Sequence, residues 1–72
     1  MGGGWVVTND KATTYYDKDG HEYGYIDLGH TALYSQDEAE RVLRDNPNPN
    51  AVQLRYLQFE AHSLAPSEVE PF

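Results

Sequence analysis

The segment Thr13-Thr14-Tyr15-Tyr16-Asp17-Lys18-Asp19-Gly20-His21-Glu22-Tyr23-Gly24-Tyr25-Ile26 constrains the fold more than any other part of the chain. β-forming residues lie on both sides of Asp17–Gly20, and Asp19-Gly20 supplies the positive φ of a tight hairpin turn. The chain must therefore double back on itself as antiparallel strands. A lone hairpin is marginal in water and needs further strands or a helix against it. With 72 residues in all, the partners must come from one small domain that buries only about 60% of its unfolded surface. So little spare stability favours a binding module over an enzyme with a deep, dry active site.

The flanking sequence supplies those partners. Residues 1–4, Met1-Gly2-Gly3-Gly4, read as a flexible lead, and Trp5-Val6-Val7-Thr8 as a short strand ended by Asn9-Asp10. His30-Thr31-Ala32-Leu33-Tyr34 is either a short strand or an extended approach to a helix. That helix is announced by a capping box, in which the Ser35 hydroxyl accepts from the Glu38 amide and the Glu38 carboxylate reaches back to Ser35. Ala39, Val42 and Leu43 form its apolar stripe, while Asp37 with Arg41 and Glu40 with Arg44 are spaced as ion pairs. Asn46-Pro47-Asn48-Pro49-Asn50 ends it, because Pro lacks an amide hydrogen and disfavours helix in the residue before it. Ala51-Val52-Gln53-Leu54-Arg55-Tyr56 alternates as a last strand with Val52, Leu54 and Tyr56 on one face. Tyr56-Leu57 breaks that phase, by a bulge or by burial on both faces. Residues 61–72 read as a disordered acidic tail.

The expected fold is α+β: a small antiparallel sheet of three to four strands with one helix packed on it, in β-β-β-α-β order, over residues 5–60. The expected core is Trp5 or Val6, Val7, Tyr15 or Tyr16, Ile26, Ala32, Leu33, Ala39, Val42, Leu43, Val52, Leu54 and Tyr56. One helix covers one sheet face, so the other face is expected to be solvated or covered by a partner.

Charge narrows the function. The chain carries 12 Asp and Glu against 5 Lys and Arg, a formal net charge of −7. Such a surface repels phosphate backbones and anionic lipid, so direct nucleic-acid or membrane binding is not expected. Without cysteine there is no disulfide framework and no thiolate zinc site, which suits a reducing compartment. No signal peptide or membrane span is legible, and a cytoplasmic location is the simplest expectation.

Recognisable catalytic and ligand-binding chemistry is mostly missing. A calcium loop aligned on Gly20 puts Tyr15, Glu22 and Ile26 at its first, eighth and twelfth positions, without the required first and last carboxylates. His21, His30 and His62, with Asp17, Asp19 and Asp27, lack metal-ligand spacing and read as turn histidines and solvated carboxylates. Ser35 is explained as a helix cap, and Ser63 and Ser67 fall in the tail. Neither Gly2-Gly3-Gly4 nor Gly20-x-x-x-Gly24 opens a helix with a Lys, so neither cradles phosphate. No enzyme, no cofactor and no metal is expected.

Two features remain. Six tyrosines stand against two Phe and one Trp, and tyrosine serves both as a β-former and as an interface residue. The acids of the helix have basic neighbours, whereas Asp17, Asp19, Glu22 and Asp27 are opposed only by Lys18. The candidate partner-binding residues are therefore Asp17, Asp19, Glu22 and Asp27 with Tyr15, Tyr16, Tyr23 and Tyr25. Such a patch confers solubility, or draws in a basic groove on another protein.

A short opening strand Trp5–Thr8, a tyrosine-rich hairpin through Asp19-Gly20, and Ala32-Leu33-Tyr34-Ser35-x-x-Glu38-Ala39-Glu40 leading into one helix and a last strand give a layout that resembles a group of phage proteins. These are the small acidic phage-encoded inhibitors of host machinery, of the anti-CRISPR and RNA polymerase inhibitor type. The resemblance covers the layout of residues 5–60 and carries over no functional residues. It implies stoichiometric binding in the host cytoplasm to a nucleic-acid-handling complex with a basic surface, the acids standing in for DNA phosphates. The alternative is a structural or accessory subunit that forms a homodimer through Leu57, Phe59 and a free sheet face.

Overall fold

The computed structural model describes residues 3–58. In chain order these form β1 (Gly3–Thr8), β2 (Tyr15–Tyr16), β3 (Glu22–Tyr23), α1 (Gln36–Arg44) and β4 (Gln53–Gln58). One antiparallel sheet has the order β3-β2-β1-β4 and carries the single helix, as the expected α+β fold requires. The expected tail 61–72, together with Phe59 and His62, lies outside the described residues.

β1 is the central strand. It pairs with all six residues of β4, from Gly3↔Gln58 to Thr8↔Gln53, and with β2 through Val7↔Tyr16 and Thr8↔Tyr15. Gly3 and Gly4, expected in a flexible lead, are strand residues. A side chain at Gly3 would meet the Leu57 carbonyl and the Tyr56 ring, so this end of the ladder closes only around glycine. The unbroken register also settles the phase slip at Tyr56-Leu57: there is no bulge, and both Leu54 and Leu57 are half-buried on opposite faces.

Successive residues of β1 point to opposite faces, and both faces are closed. Trp5 and Val7 join Tyr16, Leu33, Ala39 and Ala51 in the main core, against Val42, Leu43 and Leu54. Val6 and Thr8 point the other way and are equally inaccessible. The expected open second face is therefore absent along β1. Leu33 contributes by pairing as an isolated bridge to Trp5, with hydrogen bonds of 2.7 and 2.9 Å, so the approach to the helix includes one residue of strand.

The helix begins where the sequence puts it. Ser35 has extended backbone and its Oγ accepts from the Glu38 amide at 3.3 Å. The i, i+4 ion pairs do not form: Glu40 accepts from Gln36 at 3.0 Å, and Arg44 turns to Asp45 at 3.2 Å. At an exposed site such pairs differ by only a few tenths of a kcal/mol, so local geometry decides between partners. Two expected core residues sit at the surface, Val52 at 54% exposure and Tyr56 at 50%. Val52 follows the turn that Asn48 and Ala51 close, and its amide donates to the Thr8 carbonyl at 3.0 Å. Tyr56 keeps one edge on Trp5, with ring centroids 4.8 Å apart, and offers the rest to solvent.

Candidate interaction surface

The hairpin turn at Asp17–Gly20 is built around the Asp17 carboxylate. Its Oδ1 accepts from the amides of Asp19 and His21, both at 2.9 Å, while Oδ2 accepts from the Tyr23 hydroxyl at 3.1 Å and meets His21 Nδ1 at 3.3 Å. Within this turn only Gly20 takes positive φ, at +85°, and its amide donates to the Asp17 carbonyl at 3.0 Å. Asp19 does not share the left-handed conformation expected of the Asp-Gly pair, because a three-residue loop needs only its last residue there. Burial by itself would push the Asp17 carboxyl up, but the two amides, the Tyr23 hydroxyl and His21 hold it below the ordinary value.

Asp27 is used in the same way. Its Oδ1 accepts from the Gly29 amide at 2.9 Å and its Oδ2 lies 3.2 Å from His30 Nδ1, and its carbonyl accepts from the His30 and Thr31 amides. Thr31, almost fully buried, closes the loop by accepting from the Asp27 amide and donating to the Asp27 carbonyl. The Gly29 amide is the main reason the Asp27 carboxyl lies below its ordinary value, with His30 adding to it against burial.

The eight residues singled out by sequence thus divide. Asp17 and Tyr16 are buried, at 7% and 2% exposure. Asp27 is half-buried and committed to its own loop. Tyr15 and Tyr23 lie side by side on β2 and β3, half-buried, with Tyr23 stacked on His30 and edge-on to Tyr25. Asp19, Glu22 and Tyr25 are exposed, Asp19 with Lys18 at 3.5 Å.

Two of these exposed acids belong to a larger feature. A 440 Å³ groove is lined by Asn9, Asp10, Thr14, Tyr16, Glu22, Pro49, Asn50 and Val52. A second depression of 270 Å³ runs on from it, sharing Pro49 and Asn50 and reaching Asp19 and Gly20. Asp10, Glu22 and Asp19 therefore mark one trough, and no Lys or Arg among the described residues lines it. Burial raises the Tyr16 phenol above its ordinary pKa, and the carboxylates of Glu22, its hydrogen-bond partner, and Asp10 raise it further.

The floor of the trough is the Asn-Pro segment. Asn46 Nδ2 donates to the Asp17 carbonyl at 3.0 Å and Asn48 Nδ2 to the Gly20 carbonyl at 2.9 Å, tying the turn after the helix to the hairpin. Asn46 and Asn48 also accept from the amides of Asn48 and Asn50. Sequence reasoning gave this segment only the role of ending the helix; asparagine at every second position is the signal for successive side-chain-closed turns. Asp10, which in the sequence marks the end of the first strand, lies two residues beyond β1 and lines the groove.

Asp17, Asp19 and His21 bring ligand atoms within 4.8 Å of one another. The Asp17 carboxylate already accepts from two amides and a hydroxyl, so a cation there would compete with the bonds that form the turn. No helix among the described residues is long and apolar enough to cross a membrane. Compared with known protein families, curated proteins and solved structures, the chain matches none.

Proposed function

We propose that this chain is a non-enzymatic acidic binding protein that engages a basic surface on another protein, with the Asp10, Glu22 and Asp19 trough as its contact. The observation that carries the reading is that no Lys or Arg among the described residues lines that trough. Asp17 and Asp27 are committed to amides of their own turns, whereas these three are exposed, Glu22 beside the Tyr16 hydroxyl and Asp19 beside Lys18. Carboxylates set along a polar, asparagine-lined trough suit Arg and Lys side chains, which pair with the acids and lay their stems on Pro49 and Val52. In its sharpest form the reading is a phage-type stoichiometric inhibitor of a host nucleic-acid-handling complex, in which the acids occupy part of the site that DNA phosphates would fill.

The test is capture of proteins from a bacterial lysate on the immobilised chain, followed by elution with duplex DNA. A DNA-handling complex that is held at low salt, displaced by duplex DNA and lost with Asp10→Lys and Glu22→Lys supports the reading. Proteins held equally by the wild type and the charge-reversed variant, and indifferent to DNA, contradict it.

A further inference from the structure

The sheet is asymmetric at its two edges. β3 ends one side with two residues, Glu22–Tyr23, whereas β4 ends the other with six, Gln53–Gln58. Among the described residues no strand pairs with the outer edge of β4. A strand so placed presents a row of unpaired backbone groups, and proteins commonly blunt such edges with charges, prolines or bulges. β4 has an unbroken register, no proline, and one charge, Arg55.

Charge sets this edge apart from the acidic hairpin and helix. The chain has a net charge of −7, yet no acid occurs from Asn46 to Gln58. Arg55, Tyr56 and Gln58 are exposed there. Two copies that approach through any acidic region repel each other; through β4 they meet where neither carries an acid.

We infer that β4 is a self-pairing edge, and that two copies of the chain join β4 to β4 in antiparallel fashion. The two-fold gives an eight-stranded sheet, β3-β2-β1-β4-β4-β1-β2-β3, within the range that twisted open sheets reach. It uses up both long edges and leaves only the two-residue β3 edges, so association closes at the dimer and does not run on into fibres. This face lies across β1 from the hairpin, and the inference stands apart from the acidic trough.

The experiment is sedimentation of the full chain over a range of concentrations, at ionic strengths from about 0.1 M to about 1 M, which shortens the screening length from roughly 10 Å to 3 Å. The expected result is a mass rising from the 8.2 kDa monomer to twice that value. Salt strengthens the association, because it screens the repulsion between two acidic copies and leaves backbone pairing intact; a contact made by the acidic trough weakens with salt instead. Arg55→Glu with Gln58→Glu, shown to be folded by circular dichroism, is expected to stay monomeric. A wild type that remains at 8.2 kDa throughout overturns the inference, as does a dimer that persists in the double variant or dissolves with added salt.

Discussion

Asn46 donates from Nδ2 to the carbonyl of Asp17 at 3.0 Å, across 29 positions of sequence. With Asn48 on the Gly20 carbonyl at 2.9 Å, it fastens the segment after the helix to the turn of the hairpin. The helix end, the hairpin and the entry to β4 are thereby one unit, and the trough between them has a fixed floor. Asn48→Ala removes its own bond of the two and the one that Asn48 Oδ1 accepts from the Asn50 amide, and leaves a partly buried Gly20 carbonyl without its partner, at a cost of about 1 to 3 kcal/mol. Thermal unfolding checks this, and Asn48→Asp, which lacks the donor, is expected to fall the same way.

Gly20 and Ala12 make an opposed pair. Gly20 holds φ at +85°, and a Cβ there would lie 3.0 Å from Pro47 Cγ. Gly20→Ala is therefore expected to destabilise by about 1 to 2 kcal/mol from the left-handed backbone alone, with the contact adding to it. Ala12 is the reverse case, an alanine at φ 57° in the turn between β1 and β2. Ala12→Gly relieves that strain, and its melting temperature is expected to rise or hold while that of Gly20→Ala falls.

The two structural carboxylates set the acid limit of the fold. Both Asp17 and Asp27 are held below the ordinary carboxyl value of 3.8. A group whose folded pKa is depressed contributes stability that is present above its unfolded pKa and lost as pH falls through the folded one. Stability is thus expected to decline below about pH 3.8, not near neutrality. Denaturant titrations across that range check this. Asp17→Asn, which keeps an acceptor without the charge, is expected to flatten the decline and to lower stability at pH 7.

Ala39 is fully buried where α1 meets the sheet beside Val7 and Leu33. Ala39→Leu is expected to cost about 1 to 3 kcal/mol by overpacking. The same change at exposed Arg41 is expected to be near neutral. Chemical denaturation of the two variants separates a packed contact from a general effect on helix propensity.

The elements that were legible in the sequence are those fixed by local chemistry. Ser35 caps the helix, Gly20 turns the hairpin and the Asn-Pro run ends α1, each through bonds within a few residues. What escaped depends on distant partners. Val6 and Thr8 are buried on the second face as fully as Val7 is on the first, which strand alternation cannot reveal. Asp17 and Asp27 looked like free charge, since composition counts carboxylates without showing which ones accept amides. Asp10 joined the candidate surface only when the asparagine segment came to lie beside Glu22. The helix ion pairs failed for the opposite reason, being local but too weak to choose their own partners.

The most direct test of the acidic trough as a contact is an amide chemical-shift titration of the full chain with an arginine-rich peptide at low salt. Shifts centred on Asp10, Thr14, Glu22 and Asn50 are expected, absent with a lysine- and arginine-free peptide and lost in Asp10→Lys with Glu22→Lys. Shifts centred instead on Asp37, Glu38 and Glu40 of the helix, or spread evenly over every exposed acid, would contradict it.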